Sequence, residues 1–456
     1  MITWRSHAVA VAAPASSQQV DSLLMLVSAT LVILVVAGIA LFYGGMTGRD
    51  GAAQAFRAAL SGAAVVVVLA VLGGFGLMLG PALVPTVVGQ PDWALMRLLG
   101  DAGLGAGGFA TIDPYPLAHA GYLIALCVVA VAILGAAVAS RVTLRAWVVF
   151  VALWSVLVLF PACYAVFALS NGWAVAGMHV IDFGGAIPVS LAAGSGAAGV
   201  ILACGRAGHP VAGPHSLPLV AAGGALIWFG WFGLTMGSEG AVDSFSPLIW
   251  MNTLIASAGG ALTWIVVDRV MLRRPTVTSA LCGAVSGLVA ITPASGVITT
   301  GWSLLLGVLA ALACASMVDV AARARFGVPM TICVIHIVAS LVGLLFIGLF
   351  ASGGGMIDSG NFDLFVSQAV AALSVAAASV LISGLIAVLL RVTIGLTRVR
   401  YRAHRGIPDE TPAHSGEPLP VEPGPEAELE TGVDDDGDPG AARGGRAGTQ
   451  RAGRDR

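Results

Sequence analysis

The feature that most constrains this chain is a series of apolar segments whose length matches the thickness of a membrane. A helix needs about 20 mainly apolar residues to cross the hydrocarbon layer of a bilayer. Such segments recur along most of the chain, separated by polar connections. Read as helices, they predict eleven membrane spans near residues 20–45, 56–80, 116–139, 146–168, 186–205, 217–236, 247–268, 277–293, 300–320, 329–351 and 366–396.

The composition excludes an ordinary water-soluble protein. Of the 456 residues, 57% are hydrophobic and only 10% are charged, whereas a typical soluble domain carries about 25% charged residues. The net charge of −2 and the lack of a basic patch interleaved with aromatic residues indicate no nucleic-acid partner. We therefore predict an all-α integral membrane protein that crosses the cell membrane many times.

The arginines predict the orientation of the chain, because cationic residues are retained on the cytoplasmic side of a membrane. The opposite connections hold only Arg97 and the N-terminal Arg5, together with acidic residues such as Glu239 and Asp358. This alternation predicts an outside N-terminus, a cytoplasmic C-terminus and an odd number of spans. The cytoplasmic set comprises Arg49, Arg57, Arg141, Arg145, Arg206, Arg269, Arg273, Arg274, Arg323 and Arg325, with Arg398, Arg400, Arg402 and Arg405 in the tail.

A change of composition near the end of the chain predicts its domain organisation. Beyond about residue 407, Pro, Glu, Asp, Gly and Arg replace the large apolar residues, and such a segment buries too little apolar surface to fold. We expect an extracellular N-terminal segment over 1–19, a membrane domain over 20–400, a cytoplasmic segment over 401–417 and a disordered tail over 418–456.

His336 is the one ionisable residue well inside a predicted span, within ICVIHIVAS. Ionisable groups at membrane depth are costly and therefore mark functional sites by default. A lone histidine in a helix bundle can also simply bond a backbone carbonyl. The functional alternative is an imidazole that lines a pore, in its neutral form.

Asp182 and Ser238 are two further candidates, each with a structural alternative. Asp182 precedes the fifth segment, where a carboxylate can accept backbone N–H bonds at a helix start. We favour that structural role over direct ion binding. Ser238 follows the aromatic run WFGWFG, which an interfacial aromatic belt alone would explain. A hydroxyl beside aromatic faces can also receive a small cation.

Nothing in the sequence indicates an enzyme or a bound cofactor. No nucleophile–base pairing, metal-ligand spacing or phosphate-binding loop occurs in a credible context. The six cysteines lie inside apolar stretches without a CxxC pair, so they are predicted to pack as small hydrophobic side chains. We expect no metal and no cofactor.

A set of short motifs occurs in a fixed order along the chain, and it resembles the ammonium transporter family (Amt/Mep/Rh) over about residues 20–400. The resemblance implies two inverted five-helix repeats followed by a long eleventh helix, assembled as a homotrimer with one pore per subunit. The motifs are GIALFYGG at 38–45, DFGG at 182–185, GWFG at 230–233, GS at 237–238, NT at 252–253, ITPASG at 291–296 and VIH ending at His336, with GLF after it.

The resemblance also assigns the centre and the constriction of that pore. The family usually has two histidines at the pore centre; His336 matches the second, and Ser190 occupies the position of the first. Two phenylalanines commonly gate the outer pore, and Leu126 and Leu234 stand in their places.

The recruitment site for the cation is implied in the same way. Ser238 matches the family serine, Phe167 stands where the outer tryptophan is usual, and Trp173 competes with Phe167 for that role. Tyr122 takes the other aromatic position on the third segment. The family mechanism then implies that ammonium is recruited outside, loses its proton and passes the histidine position as neutral ammonia.

Two alternative functions and one further partner stay open at this level. The missing imidazole and the polar tail fit an ammonium sensor with little conduction, and a narrow apolar pore also fits a channel for carbon dioxide or water. The stretch 405–417 partly resembles the family's C-terminal segment, which implies a possible PII-type signalling protein at the cytoplasmic face.

Overall fold

The structure is a computed structural model that describes residues 17–48, 50–91, 115–205, 215–271, 273–324 and 327–397. Three predicted regions fall wholly or mostly outside the described residues: the N-terminal segment, the cytoplasmic segment 401–417 and the tail 418–456. Several of the arginines used for orientation, among them Arg49, Arg206 and Arg325, also lie outside them.

The predicted all-helical architecture is confirmed. Helices suit a lipid solvent because every backbone N–H and C=O is satisfied within the segment. Among the described residues, ten helices are long and apolar enough to cross a membrane, whereas α8 is shorter. The helices are α1 Ser17–Met46, α2 Gly51–Leu79, α3 Tyr115–Val138, α4 Leu144–Phe167, α5 Ile187–Cys204, α6 Leu217–Gly237, α7 Ser246–Val270, α8 Val277–Ile291, α9 Thr300–Arg323, α10 Val328–Phe350 and α11 Asp363–Thr393.

One small departure from an all-α fold follows α2. Residues Ala82–Val84 (β1) and Val88–Gly89 (β2) form an antiparallel two-stranded hairpin. Pro81 and Pro85 frame the first strand, and a proline ring is incompatible with the interior of a helix. The apolar composition of this stretch therefore does not extend α2.

Glycines let α1 and α6 cross with their backbones in contact. A Cβ atom added to Gly38 would lie 2.7 Å from the backbone nitrogen of Ile227, and one added to Gly223 would overlap the backbone nitrogen of Phe42. Small residues at a helix crossing allow the close packing that drives association in lipid. Gly38 and Gly223 thus permit the close approach of the α1 and α6 backbones at this crossing.

The helices pack in two sets that meet along the middle of the bundle. In the first set α1 packs against α2 and α3, and α3 packs against α5; in the second, α6 and α7 pack against α8, and α8 packs against α10. The sets meet where α1 packs on α6 and where α5 packs on α10. Helix α11 lies against α5 and α10. The α5–α10 contact places the fifth and tenth helices side by side.

Arginines tie several helix ends together at one end of the bundle. Arg141, after α3, donates to the carbonyl oxygen of Gly205 at the end of α5 over 2.7 Å. Arg145, at the start of α4, donates to the carbonyl oxygen of Ile394 after α11 over 3.1 Å. The last carbonyls of a helix lack intrahelical donors, so cationic side chains stabilise them.

Candidate functional site

His336 lies in the middle of α10 and is 1% exposed. Its Nε2 atom is 3.1 Å from the hydroxyl oxygen of Tyr43 on α1, and the two rings meet edge-on with centroids 6.0 Å apart. In the described part of the chain, its other ring nitrogen, Nδ1, has no hydrogen-bond partner. The imidazole is therefore held at one nitrogen and available at the other.

Ser190 lies on α5, the helix that packs against the His336 segment of α10. It belongs to a π-helical turn, Ile187–Leu191, a type of irregularity that often occurs at functional sites. Its side chain is completely buried, and its Oγ atom has no partner among the described residues. Nearby, a Cβ atom on Gly194 would lie 3.0 Å from the Cβ atom of His336, so this glycine permits the close approach of the two helices.

His336 Nδ1 and Ser190 Oγ, which we call the open polar atoms, are chemically conspicuous in an apolar bundle. A buried polar group without a partner costs about 1–3 kcal/mol, and each such group in a native protein calls for an explanation. A small polar solute that both donates and accepts hydrogen bonds can pair with either atom.

Leu126 on α3 and Leu234 on α6 are both buried. Each supplies an apolar side chain that offers no hydrogen bond to a polar solute. Leu234 also contributes its backbone to the cluster that follows, because its carbonyl oxygen accepts two hydrogen bonds. The structure thus connects one of the two predicted constriction residues directly to the predicted recruitment residues.

The hydroxyls of Tyr122 and Ser238 form a compact oxygen cluster with the carbonyl oxygen of Leu234. Ser238 Oγ donates to that carbonyl over 2.8 Å, and Tyr122 Oη donates to it as well. The two hydroxyl oxygens are 2.8 Å apart. When both protons point to the carbonyl, the hydroxyl lone pairs remain available to accept N–H groups. This cluster is suited to a small N–H donor such as a cation.

Phe167 and Trp173 contact different parts of the chain. Phe167, at the end of α4, covers Gly185, where an added Cβ atom would overlap its ring. The backbone nitrogen of Trp173 instead donates to the carbonyl oxygen of Thr86, in the turn between β1 and β2, over 3.0 Å. No hydrogen bond or ring contact joins either residue to Tyr122 or Ser238 within the described ranges.

Asp182 precedes α5, outside the membrane-spanning helices. Its side chain accepts hydrogen bonds from the first backbone N–H groups of that helix. Its Oδ1 accepts from the Ala186 nitrogen and its Oδ2 from the Ile187 nitrogen, each over 2.7 Å. Burial raises the pKa of Asp182 to about 6, and these N–H bonds act in the opposite direction. The carboxyl group of Asp182 thus caps the positive end of the helix that carries Ser190.

The loop that contains Asp182 is fastened to the loop after α8 by backbone hydrogen bonds. The nitrogen of Phe183 donates to the Pro293 carbonyl over 3.1 Å, and that of Gly184 donates to the Thr292 carbonyl over 2.9 Å. Trp231 of α6 supports the same loop, since its Nε1 donates to Thr292 Oγ1 over 2.9 Å. The DFGG, GWFG and ITPASG motifs therefore belong to one packed region.

Tyr43 is a residue of the site whose role was not predicted from the sequence. It lies in GIALFYGG, a motif recognised as a unit without any role for its tyrosine. The available signal was a phenol in a long apolar helix, since a buried hydroxyl requires a partner. The partner is reached only through a tertiary contact, because the two residues are 293 positions apart in the chain.

The described residues contain no group of three or more His, Cys, Asp or Glu side chains that could hold a metal ion. Cys127 and Cys163 have sulfur atoms 3.9 Å apart, and both are buried.

Comparison with known proteins gives one consistent result. The sequence model described as Ammonium Transporter Family matches residues 23–411. A protein of Mycobacterium tuberculosis named "Ammonium transporter" is 32% identical over 436 residues, with 89% of this chain and 91% of the relative covered. A Bacillus subtilis protein of the same name is 33% identical over 300 residues, with 65% and 72% covered. The crystal structure of Saccharomyces cerevisiae Mep2 superposes with a TM-score of 0.74 at 25% identity, covering 82% of this chain and 89% of that one.

Proposed function

The chain belongs to the ammonium transporter family, and from this membership we propose that it transports ammonium across the cell membrane by passing neutral ammonia beside His336. The observation that carries the proposal is that His336 Nδ1 and Ser190 Oγ, two of twelve buried side-chain N and O atoms without a partner in the described ranges, lie on two contacting helices at the positions that the resemblance assigns to the pore centre. Ammonia both donates and accepts hydrogen bonds, so it can satisfy each atom as it passes. The family model and the named relatives favour transport over the alternatives of a sensor or a channel for carbon dioxide or water.

The passage of ammonia rather than ammonium follows from the cost of desolvation. An ion that enters a narrow apolar pore loses its hydration shell, and an unpaired buried charge is very unfavourable. Leu126 and Leu234 would form the dry constriction, since neither side chain offers a compensating hydrogen bond. The proton is therefore left on the outer side of this constriction.

Recruitment of the cation is assigned to the oxygen cluster of Tyr122, Ser238 and the Leu234 carbonyl. Its accepting lone pairs suit the N–H groups of ammonium, and an aromatic face adds cation–π attraction. Phe167 and Trp173 are the candidates for that face, and Phe167 is supported by its position above the Gly185 loop.

We assign α8 and the loop after it, residues 277–298, as an additional span, which brings the total to eleven. The packing of α1 on α3 and of α3 on α5 has its counterpart in that of α6 on α8 and of α8 on α10. This correspondence supports two inverted five-helix repeats, a recurring plan of transporters, with α11 as the long final helix. Arg141 and Arg145, which tie the ends of α5 and α11, support a cytoplasmic location for that end of the bundle.

A homotrimer is the proposed assembly. Native mass spectrometry of the protein released from a mild detergent should give three copies of the 45.9 kDa chain, and a monomer as the dominant species would contradict the assembly.

A PII-type protein is proposed as a cytoplasmic partner of residues 401–417. A pull-down from nitrogen-replete cells that recovers no PII protein would contradict this second interaction.

The transport proposal is tested with purified protein in liposomes that contain a pH-sensitive dye. Ammonia that enters takes up a proton inside, so an inward ammonium gradient should cause faster internal alkalinisation than in protein-free liposomes. His336→Leu removes a hydrogen bond to the solute of about 0.5–1.5 kcal/mol, so we expect a two- to tenfold slower rate, at about 1.4 kcal/mol per tenfold.

His119→Leu is the matched control. His119 stacks on Tyr115 near the start of α3, with ring centroids 6.0 Å apart, and we expect its loss to leave the rate unchanged. Alkalinisation no faster than in protein-free liposomes, or equal rates in the wild type and the His336→Leu variant, would overturn the proposal.

A further inference from the structure

The hydroxyl of Tyr43 has one hydrogen-bond partner in the described part of the chain, the Nε2 atom of His336. Tyr43 is 0% exposed, and it reaches the imidazole from α1, whereas Ser190 lies on α5. Helix α1 also packs tightly against α6 through Gly38 and Gly223. The phenol is therefore held against the ring by a rigid element of the bundle.

This contact limits where the proton of a neutral imidazole can reside. A neutral ring has one N–H group and one accepting nitrogen. If the proton were on Nε2, that N–H would donate to the Tyr43 oxygen, and the phenol proton would be buried without an acceptor, which is unfavourable. If the proton is on Nδ1, the Nε2 lone pair accepts the phenol proton, and both groups are satisfied. Hydrogen-bond counting thus favours the Nδ1–H tautomer.

The tautomer decides which charge state of the solute His336 can bind. An Nδ1–H group needs a lone pair to donate to. Ammonia has one lone pair, whereas the ammonium ion has none and would direct an N–H group against another N–H group. The hydroxyl oxygen of Ser190, on the contacting helix α5, can likewise accept an N–H group of ammonia.

We propose that Tyr43 is a positioning residue that fixes His336 as the Nδ1–H tautomer, and that it thereby selects neutral ammonia over ammonium at the pore centre. The selection rests on the proposed ammonia transport, but the assignment of the tautomer does not. Tyr43 acts through His336, and no contact between Tyr43 and the solute is required.

The direct test is nitrogen NMR of the protein labelled with ¹⁵N in its histidines and reconstituted in lipid. The His336 signals are identified by their loss in a His336→Gln variant. In the wild type we expect a protonated Nδ1 and an unprotonated, hydrogen-bonded Nε2. In Tyr43→Phe the phenol proton is absent, so we expect the ring to shift toward the Nε2–H tautomer. A protonated Nε2 in the wild type would overturn the proposal, and this measurement does not depend on the variant folding.

The functional test compares ammonium-evoked current with ammonia-driven alkalinisation in the same liposomes. Loss of the phenol should raise the ratio of current to alkalinisation by about 5- to 140-fold, which corresponds to about 1–3 kcal/mol at 1.4 kcal/mol per tenfold. An unchanged ratio in Tyr43→Phe would overturn the selective role.

Tyr164→Phe is the matched control, because Tyr164 is equally buried on α4 and its hydroxyl has no partner in the described ranges. We expect this variant to keep both the tautomer and the ratio of the wild type, and an effect equal to that of Tyr43→Phe would overturn the proposal. A wild type that shows the Nδ1–H tautomer but no alkalinisation would refute the transport function and leave the tautomer assignment standing.

Discussion

Ser190 differs from an imidazole in one chemical respect that bears on charge movement. Its hydroxyl donates and accepts hydrogen bonds but does not titrate near neutral pH, so a proton relay between two imidazoles is not available. In Ser190→His a second titratable ring would lie on the helix next to His336. We expect a larger ammonium-evoked current from proteoliposomes of this variant than from the wild type.

The control for this variant is Ser190→Ala, which removes the hydroxyl without adding a ring and should not increase the current. Equally large currents from the wild type and Ser190→His would contradict the expectation, because a proton pathway independent of position 190 would then exist.

Leu126 and Leu234 give the second prediction at the residue scale. A leucine side chain is smaller than a phenylalanine side chain and lacks its flat, stiff face. We expect the constriction to admit methylammonium more readily than an aromatic one would. The double variant Leu126→Phe, Leu234→Phe should therefore take up less methylammonium relative to ammonium in a competition assay. Leu144→Phe, at an exposed position of α4, is the control. An unchanged uptake ratio in the double variant would contradict the proposed role of Leu126 and Leu234 as the constriction.

Some residues of the site could be predicted from the sequence and others could not. His336 and Asp182 stand out because an ionisable group in apolar surroundings requires a partner or a function. The hydrogen bonds of Asp182 are local, within five positions of the chain. The contact between Tyr43 and His336 depends on the rotation and depth of two distant helices, which hydropathy does not determine.

At the scale of the elements, the crossing of α1 and α6 gives a test of packing. A Cβ atom at Gly223 would overlap the backbone of α1, and a backbone cannot move aside as a side chain does. Gly223→Ala should therefore destabilise the protein by about 1–3 kcal/mol, which would appear as a lower unfolding temperature in detergent.

Gly301→Ala is the control for this variant. Gly301 lies in α9, and a Cβ atom there would have no neighbour within 4 Å. Since alanine favours a helix by about 0.8–1.0 kcal/mol over glycine, we expect an unchanged or higher unfolding temperature. A Gly223→Ala variant as stable as the wild type would show that the two helices can separate without cost.

The helices themselves were predicted within a few residues, because lipid requires long apolar segments and leaves few other solutions. The departures occur where local chemistry competes with hydropathy. The prolines after α2 give a short hairpin in place of more helix, and Pro188 lies in a π-helical turn at the start of α5. Neither the hairpin nor the turn changes the apolar character of its segment, so hydropathy does not detect them.

At the scale of the whole molecule, the proposed orientation can be tested by chemical labelling in intact cells. Ser244 lies in the exposed connection between α6 and α7, and Arg274 in the exposed connection between α7 and α8. With Cys204, the one partly exposed cysteine of the described residues, replaced by alanine, a membrane-impermeant maleimide should label Ser244→Cys. Arg274→Cys should react only after the membrane is opened, and the reverse pattern would contradict an outside N-terminus.

The sequence alone predicts the structural class of the molecule, but it does not predict the arrangement of the helices. Composition excludes a soluble protein, and the arginines suggest an orientation, but neither says which helices meet. The expectation that the fifth and tenth helices are partners came from the family resemblance. The contact of α5 with α10, brought close at Gly194, shows that these two helices do meet.

The hydrogen bonds from Phe183 and Gly184 to the loop after α8 have a consequence for the motion of this protein. Together with the close crossing of α1 and α6 at Gly38 and Gly223, they hold one set of helices against the other. Transporters that rock one half against the other must move the two halves past each other in every cycle. Here such a movement would break the backbone hydrogen bonds of Phe183 and Gly184, and it would bring the backbones of α1 and α6 into collision. The barrier to turnover then lies in the desolvation and deprotonation of the solute rather than in a movement of one half against the other.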